Sequence, residues 1–307
     1  MIDTLVNYHT RERWLAARAG GIGASDVSAL FGLSPWASAF SLWCEKTGLA
    51  EPVERDEDWL TWGLLQEEPM AKFYELKTGR KVWTGGSPYC VARHPNLPMF
   101  SCTPDKIVFS APDIGFESPG GLQIKSAAWF MAHDWDQGPP PHVQIQVQSE
   151  MACTGADWWS VPVNLGGRFR NFDVMRDQSM INEIEAQVVW FWDLVQSRTP
   201  PDIDGHDATT AILKRLHPQD NGESVDLPPE AVAFADEVFS ARVAIAEAEK
   251  SAKNLKAGPE NYLRALIGGA TFGRLPDGRL LSLRTTSRTG YQVEASTYRA
   301  LKLEKRP

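Results

Sequence analysis

An aspartate, a glutamine and a lysine in this chain have the types and spacing to hold a metal ion beside a phosphodiester. Asp105 closes the run Ser101-Cys-Thr-Pro-Asp105, and Leu122-Gln-Ile-Lys125 follows the glycine-rich stretch Pro119-Gly120-Gly121. Side chains of an extended segment alternate with period 2, so Gln123 and Lys125 share a face. A magnesium ion that cleaves phosphodiesters needs hard oxygen ligands, an activated water and a cation to offset developing charge. Asp105 would supply the first oxygen, the Gln123 amide an uncharged second one, and the main-chain carbonyl of Ile124 a third. Lys125 would position the nucleophilic water or stabilise the transition state. The plain alternative is a surface Pro-Asp turn, with a glutamine on an ordinary strand beside a lysine whose stem covers apolar surface. The close succession of the two segments, with a glycine turn between them, favours the site.

Such a site needs a hairpin with helices around it, and the flanking sequence supplies both. Val82 to Lys125 is strand-like, broken at Gly85-Gly86, His94-Pro95, Pro112-Asp113 and Pro119-Gly120-Gly121. Before it, residues 11–18 read as a helix ending at Gly20-Gly21. Ser25 reads as the N-cap of a helix from Asp26 to Phe31. Ala37 to Thr47 is a further helix closed by Gly48, and a longer one from about Asp58 to Lys77 carries Pro69, a kink point. After it, Trp158 to Val163 and Phe169 to Val174 read as strands and Asp177 to Ser197 as a helix. Val143-Gln-Ile-Gln-Val-Gln148 alternates strictly and, by period alone, is a strand.

Three regions follow: 1–200 as the main domain, 201–225 as a linker, and 226–307 as a C-terminal helical and hairpin region. In the last, Ala231, Phe234, Val238, Ala241, Ile245, Ala248, Ala252 and Leu255 form a heptad stripe. A second short helix is expected from Pro259, then a hairpin turning at Leu275-Pro-Asp-Gly278.

Composition is that of an ordinary globular protein, with 43% hydrophobic and 23% charged residues. No apolar stretch approaches the roughly 20 residues that span a bilayer, and the N-terminus does not read as a signal peptide. The four cysteines are scattered without metal-site spacing, as expected of reduced thiols in a cytoplasmic protein. The net charge of −8 is unevenly spread: residues 251–307 carry eleven Lys/Arg against four acids, so the tail is +7 and residues 1–250 are −15. An acidic body with a basic tail is compatible with local DNA binding through a cleft. Equally, the tail has the charge to pack against the body.

In five segments, taken in order, the chain resembles the lambda-type exonuclease and YqaJ-type viral recombinase family of PD-(D/E)xK nucleases. They are Ala17-Arg-Ala-Gly-Gly-Ile-Gly-Ala-Ser25, Trp62-Gly-x-x-x-Glu67, Cys102-Thr-Pro-Asp105, Gly121-Leu-Gln-Ile-Lys125, and Gln144-Ile-Gln-Val-Gln148 running into Met151. The resemblance implies an α/β fold, with a mixed central sheet flanked by helices and the C-terminal region as an extension. It implies that Arg18 and Ser25, with Thr103, contact the terminal 5′-phosphate and DNA, and that Glu67 lies near the metals with Asp105 and Gln123. It makes Gln146 a catalytic glutamine that holds the lysine or the water, and it makes residues 143–148 helical. It further implies Mg²⁺ or Mn²⁺, two ions per site, and a 5′→3′ double-strand exonuclease of phage-type recombination. The expected partners are duplex DNA ends, a single-strand annealing protein and other copies of the chain, a trimer by family habit, in the bacterial host cytoplasm. Gln123 stands where the pattern has an acid, which keeps two other readings open: a DNA-end binder without turnover, and an endonuclease on the same core. Trp129, Trp135, Trp158 and Trp159 are candidates for base stacking.

Overall fold

The computed structural model describes residues 5–51, 57–83 and 89–285. In chain order the elements are β1 (Leu5–Asn7), α1 (Arg11–Ala19), β2 (Ile22–Gly23), α2 (Val27–Leu30), α3 (Ala39–Lys46) and α4 (Glu57–Thr78). Then come β3 (Val82–Trp83), β4 (Cys90–Arg93), β5 (Phe100–Cys102), β6 (Lys106–Val108), β7 (Gly120–Leu122) and β8 (Lys125–Ala127). These are followed by α5 (Pro141–Thr154), β9 (Trp158–Leu165), β10 (Arg168–Met175), α6 (Gln178–Ser197), α7 (Asp207–Leu216), α8 (Ala231–Ile267), β11 (Phe272–Arg274) and β12 (Leu280–Ser282). The fold is the expected mixed α/β one.

Two sheets carry the main unit. One has the order β1-β4-β5-β2, and the other runs β10-β9-β7-β6-β3, with β8 continuing along β9. Asp105 lies on the link from β5 to β6, where the chain passes from one sheet to the other. β6 and β7 are antiparallel, with Lys106 opposite Leu122. β7 and β8 both run parallel to β9, Leu122 opposite Ser160 and Lys125 opposite Val163, so the register is unchanged across Gln123-Ile124. Gln123 and Lys125 therefore keep the common face that the period-2 spacing requires.

Gly120 and Gly121 do more than mark a turn. A Cβ on Gly121 would stand 1.9 Å from the Trp159 ring, and one on Gly120 would stand 2.3 Å from the Trp158 ring. These two indoles are fully buried, and Trp135 nearly so, which removes all three from the base-stacking candidates. Trp129 alone of the four is exposed. Gly121→Ala is accordingly expected to destabilise the fold by about 1–3 kcal/mol, because the clash is with a ring that has nowhere to go. A thermal melt within about a degree of wild type would show that the rings repack freely.

The alternating stretch Val143–Gln148 is helical. Pro141 opens α5 and Gly155, at φ 73°, closes it. Its period misleads because α5 packs against α2, α6, β4, β5 and β9, and every residue from Val147 to Thr154 is buried. A helix enclosed on all sides needs no polar stripe.

The region before the C-terminal part differs from expectation in one respect. Residues 207–216, expected within a linker, form α7, which packs against α3 and buries Thr209 and Ile212. The compact unit accordingly ends at Leu216, with a second unit from His217. In that second unit, α8 runs unbroken through Pro259, so no separate short helix begins there, and the described part of α8 buries no side chain. The β11–β12 hairpin forms as expected, with Gly278 at φ 91°. The basic residues after 285 lie outside the described residues.

Candidate active site

The β6–β7 pairing brings Asp105 onto Gln123. The Gln123 amide nitrogen donates to Asp105 Oδ2 at 2.8 Å, and the Ile124 main-chain N–H donates to the same oxygen at 2.7 Å. Ile124 N–H thus leaves the strand ladder to serve the aspartate, which is why the ladder breaks between β7 and β8. The Gln123 side chain is 5% exposed, and its Oε1 has no hydrogen-bond partner among the described residues. Burial pushes the Asp105 carboxyl above its ordinary value, with Lys125, the Ile124 N–H, Gln123 and Lys106 pulling the other way.

Lys125 donates from Nζ to Gln146 Oε1 at 2.8 Å, and Gln146 Nε2 donates to Glu150 Oε1 at 2.9 Å. The strand lysine is therefore held by a glutamine of α5, itself held by a glutamate one turn on. Glu150 is 1% exposed, and its Oε2 has no hydrogen-bond partner. Burial first, then the neighbouring Asp105, drive its carboxyl well above the ordinary range. No period or motif pointed to Glu150. The i, i+4 relation to Gln146 becomes a signal only once residues 141–154 are known to be helical.

Glu67 comes from α4, which is docked beside the site by its neighbours in sequence. Gln66 Oε1 accepts from Ser126 Oγ at 2.9 Å and from Asn164 Nδ2 at 3.4 Å, and Glu68 pairs with Lys106 at 3.4 Å. Burial, followed by Asp105, raises the Glu67 carboxyl to about 7, with Lys106 opposing. A raised carboxyl keeps its proton in the folded state, so that part of the stability is present below the ordinary carboxylate range and is lost as pH rises through about 7. The metal-free protein is expected to melt lower at about pH 8 than at about pH 5.5, with a flatter slope in Glu67→Gln. Scanning fluorimetry across that range checks it; an unchanged slope in the variant would remove Glu67 from the cause.

The second cluster surrounds Arg18, in the last turn of α1. Its guanidinium lies over the Trp14 ring, 4.4 Å from the centroid, and makes no hydrogen bond or ion pair among the described residues. Burial lowers its pKa, partly offset by Asp26 and Cys102. Ser25 is exposed and does not cap α2. That position belongs to Asp26, whose carboxylate turns back to the Gly23 N–H at 3.0 Å and to Lys46 at 3.0 Å. The N-cap assignment to Ser25 is thus corrected: α2 begins one residue later, after Asp26, without a side-chain cap hydrogen bond, and it is too short to offer much of a dipole. Thr103 Oγ1 is buried without a partner.

Acceptor oxygens without donors are what a cation would complete. The orphaned Gln123 Oε1 beside Asp105 is such an oxygen, and with the Ile124 carbonyl and Glu67 these are the groups that would hold a hard divalent ion. No cluster of three or more His, Cys, Asp and Glu with metal-binding geometry occurs among the described residues.

The family model for the YqaJ-like viral recombinase domain matches residues 13–157, a span that contains every site residue named above. That stretch is similar to the YqaJ-like viral recombinase domain. Over 270 residues it is 27% identical to uncharacterized protein YqaJ of Bacillus subtilis (strain 168), covering 86% of this chain and 80% of that one. Among solved structures it is similar to the LHK-Exo complex with dAMP, at 25% identity and TM-score 0.49, over 66% of this chain and 96% of that one. The alkaline exonuclease LHK-Exo from Laribacter hongkongensis gives 23% and 0.47, over 66% and 97%. A phage-related exonuclease from Haemophilus somnus 129PT gives 10% and 0.41, over 64% and 96%. No helix among the described residues of the YqaJ-like chain is long and apolar enough to cross a membrane.

Proposed function

We propose that this YqaJ-like chain is a divalent-metal-dependent 5′→3′ exonuclease acting on double-stranded DNA ends in phage-type recombination. The observation that carries it is a pair of hydrogen bonds made from positions two apart in sequence, Gln123 to Asp105 and Lys125 to Gln146, with Glu67 close enough to Asp105 to feel its charge. Asp105, Gln123 Oε1, the Ile124 carbonyl and Glu67 would hold Mg²⁺ or Mn²⁺, two ions per site. When bound, the metal supplies an acidified water and charge neutralisation at the phosphate. Lys125, steadied by Gln146, supplies the cation facing the developing negative charge. Arg18, with Ser25 and Thr103, is read as the pocket for the terminal 5′-phosphate. A half-buried guanidinium without a protein acceptor among the described residues suits an anionic ligand. The product would be a 3′ single strand for a single-strand annealing protein, and the enzyme would work as a homo-oligomer, a trimer by family habit.

One observation favours a second reading, an end-binding protein with little turnover. Gln123 satisfies Asp105 by donating to it, so the metal-free site is already neutralised in part. Incubation with linear duplexes bearing 5′-phosphate or 5′-hydroxyl, and with a covalently closed circle, in Mg²⁺ decides between them. Mononucleotide release from linear duplexes alone supports the exonuclease. Cutting of the circle would mean an endonuclease, and retention of ends without release would mean a binder.

A further inference from the structure

The Gln146 amide is held from both sides, and the partner on its far side is a carboxyl group that no motif assigned. An ammonium can only donate, so Lys125 requires the Gln146 oxygen. That leaves the Gln146 NH₂ pointing into the protein, where it needs an acceptor. Glu150 Oε1 is that acceptor, at 2.9 Å, from one helical turn along α5. With no acceptor there, the amide could rotate by a half-turn and present N–H groups to the ammonium, which repel it.

We propose, resting on the nuclease reading, that Glu150 is a positioning residue for cleavage: it fixes which way round the Gln146 amide sits, and through it where Lys125 holds its charge. Three further facts agree. Glu150 is enclosed, at 1% exposure, yet spends only one oxygen on Gln146, while Oε2 finds no donor. The Trp159 indole N–H faces this carboxyl without completing a hydrogen bond. Burying a carboxyl at such cost is unnecessary for packing, since a methionine would fill the space without desolvating a polar group. Gln123 brings no charge to the strand, so Glu150 also supplies a carboxyl group to the site's surroundings that position 123 does not.

The test compares Glu150→Met, Glu150→Gln, Gln146→Met and the Glu150→Met/Gln146→Met pair in the full-length chain. Glu150→Met is expected to lower kcat on linear duplex about five- to tenfold with little change in KM, and Glu150→Gln, which keeps an acceptor oxygen, to recover most of the loss. The double variant should be no worse than Gln146→Met alone, because both act through one contact. Additive losses would overturn the proposal, as would failure of Glu150→Gln to recover activity. A second readout does not depend on turnover: the rate at which Lys125 is acylated by a small amine reagent, followed by peptide mass spectrometry. Glu150→Met and Gln146→Met should both raise it severalfold, while Glu150→Gln should stay near wild type. Equal labelling in all four proteins would sink the positioning role even if the wild type cuts DNA. A wild type that never cuts would sink the nuclease reading and leave the labelling result to judge Glu150 by itself.

Discussion

Arg18→Ala is expected to slow initiation on 5′-phosphorylated duplex ends about 10- to 100-fold and to leave 5′-hydroxyl ends nearly unchanged. The range follows from losing one charge-assisted hydrogen bond to phosphate, about 1.5–3 kcal/mol, at roughly 1.4 kcal/mol per decade of rate. The structure gives the reason to place that loss here. Arg18 has no protein acceptor among the described residues, lies over Trp14, and is destabilised as a cation mainly by burial. A cation left in that condition gains from an anion that can reach it. Ser25, exposed one residue before Asp26, should matter less, since a neutral hydroxyl contributes a weaker bond. Initial rates on the two end types, for wild type and Arg18→Ala, are the measurement. If the variant keeps a full preference for phosphate, the pocket is elsewhere and the endonuclease reading gains.

Gln123→Glu is expected to raise Mg²⁺-dependent cleavage at least about tenfold, roughly 1.4 kcal/mol of transition-state stabilisation. In this chain the amide donates to Asp105 Oδ2 at 2.8 Å, which offsets the charge of that carboxylate. A glutamate there loses that bond and sets two carboxylates face to face, a repulsion that a divalent ion relieves. The same substitution should lower the melting temperature without metal and make added Mg²⁺ raise it further than in wild type. Cleavage rates and melts, each with and without Mg²⁺, check both halves. Equal activity in the two forms would mean that the metal is held without position 123. Equal inactivity would favour the end binder.

What the sequence determined by itself is largely local. The period-2 placement of Gln123 and Lys125 after a glycine pair needed only strand geometry, and the helices read over Ala37–Thr47 and Asp177–Ser197 form as α3 and α6. The hairpin at Leu275–Gly278 was equally plain, because its glycine must take a positive φ. The five-segment resemblance added the helical state of residues 143–148, against their own periodicity.

The tertiary structure decided whatever depends on enclosure or on partners distant in sequence. It enclosed the second half of α5, from Val147 to Thr154, so that the helix shows no continuous polar stripe and its alternating start reads as a strand. It drew Thr209 and Ile212 out of an expected linker and into the core. Gly121 is where it is because Trp159, 38 positions later but directly opposite in the sheet, occupies the space of its missing side chain. The Asp26 carboxylate is drawn to Lys46 and the Gly23 N–H, partners on other segments, so α2 starts after Asp26 with neither Ser25 nor Asp26 capping it through a side chain. Glu150 was invisible for the same kind of reason. A glutamate in a sequence reads as solvated surface, and only packing from every direction shows that this one is sealed against Gln146 and, through it, against Lys125.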